Sequence, residues 1–437
     1  MTESCAALPE PRTGAKVPHL GVSVFWTLSG YVVYMACQWA MLVVVARLGT
    51  PEKLGEFALG LALSAPVVLF TNLGLRRIQV TDASEGFEFC HYFGLRLVMN
   101  AIALAAVAAL AFGGGYGPGT AAVIVATGLA KTVEAASDVV YGVLQKGERM
   151  DLIALSLFLR GIAGMAGLAG GMAATGDVAT GVLALAAGWM AVFVFYDLPR
   201  ASRLLPKGGL RPRWSPRTLG RLTWMALPLG IVTTLLSLMS TIPSVFIEKL
   251  RGAGELGLYT ALAYSYAASH RIASAMGEAA SARLARHYAG GRKREFGRVL
   301  AGLLALAAAG AAAGLGVAVL AGRPLLSLVY GPPYAERADL LVGFMLVSLV
   351  SDLGIVLDYT MTAMRRLRIQ PLIYGAAVLL YAALCARLIP TMGLGGAVLA
   401  LGIVSLAQAL VTSAIVARVL LHFPSAGGVG AAKAGAT

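Results

Sequence analysis

The residues best able to do chemistry in this sequence are charges that fall inside long apolar runs. Lys131, Glu134 and Asp138 stand at spacings of three and four, so a helix carries all three on one face. Arg160 lies in the following run, which holds no acid between residues 152 and 173. A later run carries His270, Arg271 and Glu278, with Arg271 and Glu278 two turns apart on one face, and another carries Asp352 and Asp358. A charge at the centre of a bilayer costs ~2.5–3.5 kcal/mol on insertion scales, so it faces a cavity or a partner. The cations are candidates for holding an anion. Glu134, Asp138 and Asp352 are candidates for ion coupling, taking up a proton or a cation. The plainer alternatives are internal neutralisation, of Lys131 by Glu134 or Asp138 and of Arg271 by Glu278, and for Arg160 a side chain that snorkels to the inner surface. Asp358 and Asp138 lie near helix ends, and solvation is the simpler reading for Asp358.

The elements that hold these residues follow from composition. Hydrophobic residues make up 58% of the 437 and charged residues 13%, against about 25% charged in an average soluble domain; the mean hydropathy is +0.78. Apolar runs recur along the whole chain, each long enough to cross ~30 Å of hydrocarbon as a helix. The expected class is an all-α polytopic membrane protein. The polar first 20 residues, with Arg12 and Lys16, and a first apolar run too long for a signal core predict no cleaved signal peptide. Cys5, Cys37, Cys90 and Cys385 show no pairing, zinc or redox spacing.

Apolar runs bounded by charge, Gly or Pro predict twelve helices, near 21–46, 55–75, 93–112, 119–144, 152–173, 178–198, 222–247, 256–280, 299–321, 339–364, 371–389 and 394–417. Between the sixth and seventh lies PRASRLLPKGGLRPRWSPRTLGR, residues 199–221, with seven basic residues and no acid. It reads as a basic cytoplasmic connector between an N-terminal six-helix lobe (1–198) and a C-terminal one (222–437). With the N-terminus inside, 24 of the 35 Lys and Arg residues fall on the cytoplasmic side and seven outside, which places both termini in the cytoplasm. The net charge of +14 then reflects topology and contact with anionic membrane lipids rather than nucleic acid. An internal echo supports two halves: RLGTPEKLGEF at 47–57 and KLRGAGELGLY at 249–259 each follow a 26-residue run without a charge. Six helices per half is an even number, so the halves lie the same way up, related by a pseudo-twofold axis along the membrane normal with the substrate path between them.

The stretch ARLGTPEKLGEFALGLALSAPVVLFTNLGLRR resembles the start of a polysaccharide or O-antigen repeat-unit flippase of the multidrug/oligosaccharidyl-lipid/polysaccharide export superfamily. ELGLYTALAY at 255–264, ASARLARHYAGGRKREFGRVL at 280–300, LLSLVYGPPYAERADLL at 325–341 and LIPTMGLGGAVLAL at 388–401 extend the likeness over essentially the whole chain. The resemblance implies two six-helix lobes around a central cavity, working by alternating access. It implies transfer of an undecaprenyl-diphosphate-linked oligosaccharide from the inner to the outer leaflet of a bacterial inner membrane, for O-antigen, capsule or exopolysaccharide assembly. A polysaccharide polymerase and a chain-length regulator are the implied partners.

Such a substrate carries a diphosphate, which a planar guanidinium binds through pairs of oxygens. Arg271, Arg160 and Lys131, with His270 beside Arg271, are therefore the expected substrate contacts. The competing reading is a multidrug/cation antiporter of the same superfamily, which needs a cavity of acids and aromatics. A polymerase or glycosyltransferase needs an outer loop or a soluble domain larger than any loop here. The loop RRIQVTDASEGFEF does not fit the major facilitator signature. With no P-loop, zinc-ligand spacing or nucleophile signature, neither an enzyme nor a cofactor or metal is expected.

Overall fold

The computed structural model describes residues 20–82, 87–206, 208–364 and 369–421. Cys5, Arg12, Lys16, Lys207, Arg365, Arg366, Arg368 and Lys433 lie outside them. Among the described residues there are twelve long helices and no strand. They are α1 (Leu20–Leu48), α2 (Pro51–Asn72), α3 (Phe89–Gly113), α4 (Pro118–Lys146), α5 (Met150–Thr175) and α6 (Val178–Ser202). Then come α7 (Pro216–Arg251), α8 (Ala253–Ala289), α9 (Lys293–Val329), α10 (Ala338–Ala363), α11 (Gln370–Met392) and α12 (Leu394–Leu421). Every expected helix has its counterpart. Loop chemistry sets the breaks: proline opens α2 and α4, where a missing amide hydrogen costs nothing. Asp177 caps α6 by accepting from the Thr180 amide at 2.9 Å.

Ten of the twelve helices are long and apolar enough to cross a membrane. The two that fall short, α4 and α8, are those carrying Lys131, Glu134 and Asp138 and His270, Arg271 and Glu278. Large apolar side chains point outward, Leu320 86%, Phe195 81% and Phe112 74% exposed, which a hydrocarbon surrounding tolerates and water does not. The chain is a multi-pass membrane protein. The connector is shorter than its composition implies, because α6 runs on through Ser202 and α7 starts at Pro216. Its Arg213 is tied to the start of α3, the amide donating to the Cys90 carbonyl at 3.1 Å and the guanidinium 3.3 Å from Glu88.

The chain divides into two compact units, Met1–Val245 and Phe246–Thr437. In the first, α4 is central, packed by α2, α3 and α6; in the second α10 has the same place, packed by α8, α9 and α12. The pairings α2–α3 and α5–α6 likewise repeat as α8–α9 and α11–α12. The six-helix echo read from two loops is thus present in the internal packing of each unit. The first unit adds α1 against α5.

The first unit also takes in most of α7, for a reason of hydrogen bonding. Pro66 inside α2 has no amide hydrogen, so the carbonyl of Ala62 loses its helical donor. Thr241 Oγ1 of α7 donates to that carbonyl at 2.9 Å. Gly230 of α7 meets the end of α2, where a Cβ would stand 2.8 Å from the Phe70 carbonyl oxygen.

Candidate functional site

The polar interior of the first unit is built outward from α4. Lys131 and Glu134 form an ion pair, Nζ to Oε2, at 2.8 Å, and are about a quarter exposed. The other Glu134 oxygen accepts from the hydroxyl of Tyr34 on α1 at 2.6 Å, and Gln38, one turn on, donates to that hydroxyl at 2.9 Å. Arg160 of α5 is sealed behind this pair, its side chain 1% exposed, with one terminal nitrogen 3.9 Å from Glu134. Its guanidinium lies 4.9 Å from the ring centre of Trp189 on α6 and 5.7 Å from that of Tyr34. Trp189 is held by its indole N–H, which donates to the Arg160 carbonyl at 3.0 Å. Gly164, one turn along α5, gives the indole its room, since a Cβ there would collide with Nε1.

From Arg160 a hydrogen-bonded chain runs inward. One guanidinium nitrogen donates to the Tyr141 hydroxyl at 3.3 Å. Tyr141 meets Ser156 at 2.7 Å, and Ser156 donates to Asp197 at 2.5 Å. Arg160 Nε and the nitrogen nearest Glu134 have no hydrogen-bond partner among the described residues. The cluster holds two cations against one carboxylate. A guanidinium with two uncommitted nitrogens, stacked on aromatic faces and out of water, is chemically an oxyanion receptor.

Comparisons with known proteins agree with this architecture. No family model matches the sequence. The chain is 26% identical over 372 residues to the capsular polysaccharide biosynthesis protein CapF of Staphylococcus aureus, covering 84% of this chain and 91% of that protein. Its fold is similar to an inward-facing multidrug resistance MATE family transporter of the MOP superfamily, with a TM-score of 0.70, 14% identity and coverage of 91% and 98%. It is also similar to the lipid II flippase MurJ in an inward closed conformation, with a TM-score of 0.73, 11% identity and coverage of 90% and 87%. The chain has the fold of these MOP-superfamily transporters.

Within this fold the remaining sequence candidates separate. Asp138, on the same helix face as Lys131, pairs instead with Arg76 at 3.2 Å, and Arg76 also donates to Gln145 at 2.9 Å. Arg96, fully buried, serves the end of α2: it donates to the carbonyls of Thr71 at 3.3 Å and Asn72 at 2.9 Å. Within the second unit, Asp352 of α10 accepts from Ser269 of α8 at 2.6 Å, with His270 Nδ1 3.9 Å away. His270 stacks on Tyr266. Arg271 and Glu278 are both exposed, and Arg271 makes no ion pair among the described residues. Asp358 is held between Gln370 and Tyr374 of α11, each at 3.1 Å, where solvation was the simpler expectation. At the start of α3, Glu88, Cys90 and His91 bring a carboxylate, a thiol and an imidazole within 4.8 Å. The sequence spacing gave no sign of this group, and Arg213 already matches the Glu88 charge.

Sequence reasoning missed Tyr34, Gln38, Tyr141, Ser156, Trp189 and Asp197. Two signals were present. Tyr34 and Gln38 are polar at helical spacing in a charge-free run, and Asp197 is an acid at the very end of the sixth run.

Proposed function

We propose that this protein is a flippase that carries an undecaprenyl-diphosphate-linked oligosaccharide from the inner to the outer leaflet of a bacterial inner membrane, for O-antigen, capsule or exopolysaccharide assembly. The observation that carries the reading is the Lys131–Glu134–Arg160 cluster, with its surplus of positive charge and two uncommitted guanidinium nitrogens. The likeness to CapF, a capsular polysaccharide biosynthesis protein, supports the substrate class. A diphosphate reaching Lys131 competes with Glu134 for both cations, and displacement of Glu134 opens Arg160 to paired oxygens. Arg271, exposed on α8 beside His270, is a further anion contact in this reading. The functional lobes are 1–198 and 222–437, with the connector and both termini in the cytoplasm, and a polymerase and a chain-length regulator act alongside.

Of the coupling candidates, Glu134 and Asp138 are matched by cations and Asp352 by neutral donors, so Asp352 is the one freest to take a cation or proton. Coupling is not demanded by the energetics: two negative charges moving out along an inside-negative 100 mV release about 4–5 kcal/mol.

The test is deletion of the gene with rescue by variants. Lipid-linked oligosaccharide builds up on the inner leaflet, the wild-type gene clears it, and Arg160→Ala or Arg271→Ala at normal membrane level does not. The MATE likeness supports one alternative, a multidrug/cation antiporter. Retained cationic dye, with no lipid-linked sugar accumulating, selects it.

A further inference from the structure

Asp197 stands apart from every other acid of the first unit. Its side chain is fully buried, Oδ2 makes no hydrogen bond among the described residues, with the Ser137 hydroxyl nearby, and Asp197 forms no ion pair among them. A carboxylate so placed is the costliest kind of buried charge, because neither a salt bridge nor a full set of donors repays its lost hydration. The backbone puts it there by a local departure: α6 passes through a single π-helical turn, Phe193–Asp197. Such turns are frequent at functional sites. Phe195 of the same turn faces outward, 81% exposed, while Asp197 faces inward.

The hydrogen bonds leading away from Asp197 have a fixed direction. Ser156 has one hydroxyl proton and gives it to Asp197, so Tyr141 must be the donor to Ser156. Tyr141 has then spent its own proton and can only accept from Arg160. The guanidinium at one end and the carboxylate at the other thus polarise both hydroxyls between them.

We propose that Asp197 is the proton-binding group of the first unit, and that a proton on it releases Arg160 for an anion through Ser156 and Tyr141. The proposal deepens the flippase reading and rests on Arg160 as the anion contact. A proton on Oδ2 weakens Oδ1 as an acceptor, Ser156 and Tyr141 lose their enforced direction, and Arg160 is less firmly drawn inward. Loss of the proton restores the chain and retracts the guanidinium. A proton suits the site better than a metal cation, since the side chains around Asp197 among the described residues, Ser137, Ser156 and Tyr141, offer neutral hydroxyls and no second carboxylate.

The other charged groups around it do not replace Asp197. Ser137 and Tyr141 face it from α4, and Ser156 and Arg160 from α5. Lys131 and Glu134 of α4 are committed to each other, and Arg149 and Asp151 at the start of α5 pair at 2.7 Å. On its own helix Arg200 stacks on Tyr196. The charged residues of α2 lie at the far end of α6, where Lys53 donates to the Gly176 carbonyl at 2.7 Å.

The experiment uses the full chain in lipid nanodiscs and has two arms. Without ligand, infrared difference spectra between about pH 5 and about pH 8 record the protonated-carboxyl band. Wild type is expected to show a band that Asp197→Asn abolishes and Ser156→Ala shifts. With undecaprenyl diphosphate as probe, wild type is expected to bind more tightly at the acid end, by up to about tenfold per pH unit for one linked proton. Asp197→Asn is expected to give a flat profile and Asp197→Glu a displaced one. An Asp197→Asn protein that keeps both the band and the pH profile overturns the proposal, as does binding that follows sodium and ignores pH. If Asp197→Asn does not fold, Ser156→Ala and Tyr141→Phe decide, and two unchanged profiles overturn it. A band lost in Asp197→Asn with no binding of the probe at any pH leaves the proton site standing and sinks the lipid-carrier reading instead.

Discussion

The acids on α4 and those on α10 occupy corresponding helices and are treated in opposite ways. On α4, Glu134 and Asp138 are each held by a cation, Lys131 with Arg160 in one case and Arg76 in the other. On α10, Asp352 and Asp358 are held by neutral donors: Ser269 with His270 nearby, and Gln370 with Tyr374. The α4 cluster therefore gathers two cations around Glu134, while the α10 acids meet only neutral donors among the described residues. Repetition of a fold has kept the helix positions and changed the partners: cations meet the acids on α4, and neutral donors meet those on α10.

That contrast is broken or sharpened by four substitutions. The largest effect is expected from Arg160→Ala. Loss of one member of a buried ion pair costs about 3–5 kcal/mol, so thermal unfolding in detergent should drop sharply and clearance of the lipid-linked intermediate should stop. Next comes Glu134→Gln, which removes a charged acceptor from Tyr34 and Lys131 and should cost about 1.5–3 kcal/mol. Because it also frees both cations, undecaprenyl diphosphate should bind more tightly to that variant in a direct titration. Asp352→Asn is expected to cost only about 0.5–1.5 kcal/mol, since an amide oxygen still accepts from Ser269. If its melting temperature falls as far as that of Arg160→Ala, the two units do not differ as described. The smallest change is expected from Asp138→Asn, about 0.2–1 kcal/mol, because the Arg76 pair is partly exposed. A loss as large as that of Glu134→Gln would merge the two α4 acids into one site.

Much of this was legible before any coordinates. Helix number and limits follow from apolar length and from Gly, Pro and charge at the breaks, because hydrocarbon leaves the backbone no alternative to the helix. The charges at depth were equally plain, since each is a costly exception. What the sequence could not supply was partnership. Lys131, Glu134 and Asp138 share a face, yet Asp138 turns to Arg76 because the short helix Leu75–Thr81 brings that residue against α4. Arg160 looked free to snorkel because its partners lie on α1, α4 and α6. Tyr141, Ser156 and Trp189 are ordinary residues in isolation, and only the packing of three helices makes them a chain. Asp197 was hidden by a single π-helical turn, which shifts the helical register that a spacing argument assumes.

The Thr241 hydroxyl that satisfies the Ala62 carbonyl belongs to a residue 179 positions later in the chain. During synthesis α2 therefore enters the membrane with an open backbone acceptor and keeps it while α3 to α6 and the connector are made. A chain arrested in the connector carries that defect permanently, inside lipid where no water can mend it. Pro66 and Thr241 together tie the completion of α2 to the arrival of α7.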